Sequence, residues 1–174
     1  MLKRICRWFH RLWHGGRSNL TVAKQIGITA TASNPVTNGQ PSWTMRADVG
    51  KTGVIFTAPD TLTFPKGNPH YDLTFTLEDK TNLRLSWVAP ASEAIWIGDA
   101  GVTGCPTQGN GSRGGMKQPV MMNGNLQVTN TNINKGSFQY MLRFMNGNDH
   151  SVVPYDPIIH NGGGGSPFEH IDEE

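Results

Sequence analysis

Cysteine is scarce in this chain, with two among 174 residues, Cys6 and Cys105. One falls in the opening segment and the other in a glycine-rich stretch, so neither a disulfide framework nor a zinc-ligand spacing can be read. That usage suits a reducing compartment, and no cofactor or metal is expected. Charge is sparse as well, at 16%, and hydrophobic residues make up 36%, against 21 Gly and 11 Pro. Such a composition implies a modest core with much loop. It points to an all-β chain of short strands separated by Gly, Asn and Pro turns.

Acid is missing from the start. No Asp or Glu precedes Asp48, whereas Lys3, Arg4, Arg7, Arg11, Arg17, Lys24 and Arg46 all do. The opposite end carries Glu169, Asp172, Glu173 and Glu174. Asymmetry of this kind predicts an acidic partner for the basic arm, such as an anionic membrane, nucleic acid or the acidic tail itself.

Long apolar runs are also missing from the opening "MLKRICRWFHRLWHGG", where no more than two apolar residues stand together. A secretory signal needs about 7–15 in a row, and a spanning helix about 20. Neither reading fits. What the segment has instead is a helical period. At about 100° per residue, Leu2, Ile5, Cys6, Trp8, Phe9, Leu12 and Trp13 fall within an arc of about 160°. Lys3, Arg4, Arg7, His10, Arg11 and His14 fill the other face, and Gly15-Gly16 supplies the stop.

A cationic amphipathic helix with Trp, Phe and Leu on one face matches a helix lying in a membrane interface. Near an anionic surface its four Lys and Arg side chains, together with Arg17, supply about 5 kcal/mol. The leading expectation is therefore membrane binding through Leu2, Ile5, Trp8, Phe9, Leu12 and Trp13, steered by Lys3, Arg4, Arg7 and Arg11. The principal alternative is that the stripe packs within the protein or on a neighbouring copy in a homo-oligomer. A targeting leader and a helix gripped by a calmodulin-like partner are further alternatives.

After Ser18 the period changes to alternation. Ile26, Ile28, Ala30 and Ala32 share a face, as do Trp43, Met45, Ala47 and Val49. "YDLTFTLEDKTNLRLSWV" reads as a hairpin, with Tyr71, Leu73, Phe75 and Leu77 going out, Asp79-Lys80-Thr81 turning, and Leu83, Leu85 and Trp87 returning. A second hairpin places Phe138, Tyr140, Leu142 and Phe144 on one face and turns at Asn146-Gly147-Asn148-Asp149. Shorter strands are expected at 53–57, 60–64, 94–97, 119–122, 125–130 and 152–160. Pro154 and Pro157 make the last an edge or bulged strand. The expected fold is an antiparallel β-sandwich over 18–161, Ig-like in pattern alone, with an N-terminal amphipathic α-helix over 1–17. Residues 162–174 follow as a Gly-rich tether and acidic tail.

Residues 98–118, "GDAGVTGCPTQGNGSRGGMKQ", show no period and read as a long loop. Within it "GNGSRG" fits G-x-G-x-x-G, but Gly115-Met116-Lys117-Gln118-Pro119 opposes the helix that a dinucleotide site needs. What remains is a candidate anion-binding loop from Gly109, Gly111, Arg113, Gly114 and Lys117. No nucleophile motif or paired carboxylates appear, and Asp149-His150 falls in a turn, where Asp serves backbone geometry. The expectation is a non-enzymatic, cytoplasmic, peripheral-membrane binding or assembly module. Its expected partners are an anionic membrane surface and copies of itself; the acidic tail reads first as a solubilising end, with docking of Glu169, Asp172, Glu173 and Glu174 on a basic helix as the alternative. Nucleic acid is not expected, because the body adds no basic stripe.

Overall fold

The computed structural model describes residues 22–67, 70–99 and 115–161. Over these the chain is all-β, with twelve strands and one helical turn, α1 (Ala91–Ala94). The first sheet holds β1 (Lys24–Thr37), β2 (Gln40–Asp48), β5 (Tyr71–Asp79), β8 (Val120–Met122) and β9 (Asn125–Asn130), in the order β2-β1-β5-β9-β8. The second runs β11-β10-β12-β4-β3, from β3 (Ile55–Thr57), β4 (Thr61–Phe64), β10 (Gly136–Met145), β11 (Val152–Tyr155) and β12 (Ile158–Asn161). Two further strands, β6 (Ser86–Trp87) and β7 (Ile95–Asp99), pair with β10.

Alternation builds these strands as expected. Ile26, Ile28, Ala30 and Ala32 are buried while Gln25 and Gly27 between them are exposed. Phe138, Tyr140, Leu142 and Phe144 are likewise buried. The two sheets share one core. Across it, Phe64 meets Tyr71 edge-on at 4.9 Å, Phe75 lies 5.8 Å from Tyr140, and the Tyr140 hydroxyl donates to the Met45 sulfur at 3.4 Å.

Three expectations need correction. The pairing is not antiparallel throughout: β1 runs parallel to β5, and β12 parallel to β4. Both pairs join strands distant in sequence, which a local pattern does not report. Second, 71–88 is not a hairpin. β5 belongs to the first sheet, whereas β6 pairs with β10 in the second, Trp87 opposite Phe144. Asp79 forms this crossing: one carboxylate oxygen accepts from the Thr81 N–H (2.9 Å) and hydroxyl (2.6 Å), the other from the Leu85 N–H (2.8 Å). Those bonds occupy donors that a hairpin ladder would need, and Leu83 and Leu85 become buried in the core.

Third, the 98–118 stretch is not all loop. Gly98 and Asp99 pair with β10 inside β7, Met116 bridges Asn130, and the Lys117 N–H donates to the Thr129 carbonyl at 2.8 Å. The second hairpin, β10–β11, is as expected. The 152–160 strand breaks at Asp156-Pro157: β11 pairs with β10 alone, and β12 lies between β10 and β4.

Candidate functional site

The densest aromatic grouping lies where β2, β6, β10 and β11 meet. The indole of Trp43 stacks on Tyr155 with centroids 5.0 Å apart and planes 10° apart, and on Phe144 at 4.8 Å. Trp87 reaches the same Phe144 at 4.6 Å. Alternation aims each ring inward from its own strand, and the register of β10 brings them together. Such contacts contribute about 0.5–1.5 kcal/mol each beyond burial. The indole N–H groups of Trp43 and Trp87 are buried and have no acceptor among the described residues.

Asp60, just before β4, is the acid of this region. Burial pushes its carboxyl above the usual carboxylate range. Burial, and then the Asp60 charge, raises the Tyr155 phenol. Tyr140 lies well above its ordinary value, first through burial, then through the charges of Tyr155 and Asp60. The grouping is therefore one desolvated carboxyl beside two phenols that stay protonated, backed by stacked rings. The stacked rings fill one another's faces, and the Asp60 carboxyl is a group that can accept or release a proton.

A second grouping sits on the outer face. Arg143 lies 3.6 Å from the centre of the Trp96 ring and pairs with the Glu93 carboxylate at 2.8 Å. Glu93 also accepts from the Trp96 indole at 3.1 Å, and its backbone carbonyl accepts from Arg143 at 2.9 Å. Every charged member has a partner here, so the set fastens α1 to β7 and β10.

The residues expected to bind membrane, Leu2, Lys3, Arg4, Ile5, Arg7, Trp8, Phe9, Arg11, Leu12 and Trp13, lie outside the described residues. So do Gly109, Gly111, Arg113 and Gly114 of the anion-binding loop, and Glu169, Asp172, Glu173 and Glu174 of the tail. Lys117 is described, and exposed. Asp149 acts on the turn as expected: its carboxylate accepts from the Ser151 hydroxyl (2.6 Å) and N–H (2.9 Å), which hold its pKa below the ordinary range. Among the described residues no three His, Cys, Asp or Glu side chains gather to hold a metal, and no helix is long and apolar enough to cross a membrane.

Sequence reasoning missed both aromatic groupings. Inward Trp43 and Phe144 were legible from alternation, but Tyr155 lies between two prolines that break the period, and Trp96 points away from the core. It also missed an apolar edge: Val120, Met121 and Met122 of β8 are 49%, 43% and 50% exposed, and β8 is paired on its β9 side. The class defined by these observations is an all-β protein of two sheets around one core. The chain matches no protein-family model, and no curated protein shows significant similarity to it.

Proposed function

We propose that this chain is a non-enzymatic binding or assembly module, a β-sandwich of the Ig-like two-sheet kind, carried to an anionic membrane surface by residues 1–17. The observation that carries the reading is the separation of apolar and cationic positions over residues 2–14, ended by Gly15-Gly16. The contacts between the inner faces of the sheets support the sandwich. A cytoplasmic, peripheral location follows from the same reading.

The second reading is a homo-oligomeric structural protein whose N-terminal helix packs on a neighbouring subunit. The exposed Val120-Met121-Met122 edge favours it, because methionine-rich surfaces adapt readily to a partner. Flotation with anionic vesicles at low salt, combined with mass measurement, separates the two. Full-length protein is expected to float, and deletion of 1–17 to release it with an unchanged β-sheet spectrum. Failure of the intact protein to float rules out the membrane reading. Assembly without lipid that is lost on the same deletion establishes the oligomer instead.

A further inference from the structure

The body has two electrically different ends. Its lower end is where Lys24, Tyr71 and Asn130 stand abreast on β1, β5 and β9. Lys24 opens β1 there, and its ammonium donates to the Thr52 carbonyl at 2.8 Å. That bond places the 49–54 loop, with exposed Lys51, at the same end. Exposed Lys66 lies on the connection from β4 to β5, which Asn132 ties down through the Pro65 carbonyl at 2.9 Å. Exposed Lys135 lies between β9 and β10, and exposed Lys117 beside Thr129, one residue from Asn130. None of these five lysines takes part in an ion pair among the described residues. The acidic side chains described there are Asp48 and Asp72, and Asp72 accepts hydrogen bonds from Gln25 and Thr129.

The other end is close to balance, its acids matched by cations. Glu78 and Asp79 close β5, Glu93 sits on α1, and Asp149 lies in the β10–β11 turn. Of the cations near them, Lys80 and Arg143 are paired with Glu78 and Glu93, exposed Arg84 lies in the β5–β6 crossing against the β10–β11 turn, and Arg46 acts on Glu78. Exposed apolar side chains stand at the lysine end too, besides those of the β8 edge and Val152 elsewhere. Val22 (85%) enters β1 at the lysine end, Ile133 (50%) lies on the loop that carries Lys135, and Ile55 (61%) pairs with Thr63 next to the end of β4. Unpaired lysines around exposed aliphatic side chains are what a lipid interface takes: the ammonium groups meet anionic headgroups and the aliphatic tips enter the boundary.

We infer that the lysine end, Lys24, Lys51, Lys66, Lys117 and Lys135, is a second contact with an anionic lipid surface, which seats the body end-on with the Glu78–Asp149 end turned away. The inference rests on the membrane reading of residues 1–17, which join the body through Val22 at this same end. The surface is flat anionic lipid; charge and exposed aliphatic groups recognise it without a pocket. Each lysine within a Debye length adds about 1 kcal/mol at low salt, which is about fivefold in affinity.

The test is amine labelling of full-length protein, read by mass spectrometry, with and without vesicles of phosphatidylcholine containing phosphatidylserine. Vesicles are expected to slow labelling of the five lysines several-fold and leave Lys80 at its free rate. The K51Q/K66Q/K135Q variant, which keeps residues 1–17, is expected to bind about 100-fold more weakly at low salt. Absence of any vesicle binding removes the anchor reading and this inference together. Binding with all six lysines labelled at their free rates overturns the end-on seat while the anchor stands. Protection by duplex nucleic acid but not by vesicles overturns it in favour of a nucleic-acid surface.

Discussion

The side-chain amide of Asn132 donates to the Pro65 carbonyl at 2.9 Å and to the Gly67 carbonyl at 3.2 Å, joining the end of β9 in one sheet to the end of β4 in the other. Asn132 is wholly buried, and its φ of 50° is one that asparagine tolerates better than most residues. Its own N–H donates to the Asn130 side chain. Replacement by alanine removes two bonds worth about 1 kcal/mol each and adds about 1 kcal/mol of left-handed strain. Asn132→Ala is therefore expected to lose about 3 kcal/mol in urea unfolding at an unchanged slope. A loss below about 0.5 kcal/mol would show that the clamp contributes little.

Such clamps, and the sites that depend on them, are the part of this protein hardest to read from the chain. Alternation locates strands because one face is buried, and Ile26 to Ala32 and Phe138 to Phe144 obey it closely. It is silent on which strand lies beside which, so Asp79-Lys80-Thr81 reads equally as a hairpin turn or a crossing. The choice is made by Phe144, the cross-strand partner of Trp87. Some information goes unused by periodicity alone. Asn38-Gly39 and Asn123-Gly124 carry positive φ in the two-residue turns of the β1–β2 and β8–β9 hairpins. The lysine end is illegible for a different reason: its members are scattered from 24 to 135 in sequence, and only the register gathers them. The amphipathic period of residues 2–14 is plain, yet a period does not name the surface that receives it.

Two carboxyls are expected to move stability in opposite directions with pH. Burial acts to raise the Asp79 carboxyl, but hydrogen bonds from the Thr81 hydroxyl and from the Leu85, Thr81 and Arg84 backbone outweigh it and hold the pKa below its ordinary value. A depressed group stabilises the fold at neutral pH and loses that contribution as pH falls from about 4 towards the folded value. Asp60 is raised, so the native state favours its protonated form. Its contribution is present at low pH and lost as pH rises through the folded value. Asp60→Asn is accordingly expected to stabilise the protein at pH 7 and to lose that advantage near pH 3, where the wild-type carboxyl is protonated. Asp79→Asn is expected to do the reverse, with its deficit largest at pH 7. Urea unfolding across this range checks both, and parallel pH profiles for the two variants would refute the assignment.

Glycine substitutions separate space from conformation. A Cβ on Gly147, in the β10–β11 turn, would lie 2.9 Å from the Arg84 carbonyl oxygen and 3.0 Å from the Arg84 Cβ. The Gly147 N–H already donates to the Leu83 carbonyl at 2.9 Å, which holds the turn against the β5–β6 crossing. Neither backbone can withdraw without losing that bond, so Gly147→Ala is expected to cost about 1–3 kcal/mol. Gly27 is the opposite case. It lies mid-strand in β1, opposite Asp48 and Thr74, with open space at its Cβ position and no left-handed φ. Glycine there weakens the strand without answering a steric need, so Gly27→Thr is expected to stabilise by about 0.5–1 kcal/mol. Thermal unfolding should place the two variants on opposite sides of the wild type. Destabilisation by Gly27→Thr would mean that the outer face of the first sheet is covered there by something a side chain displaces.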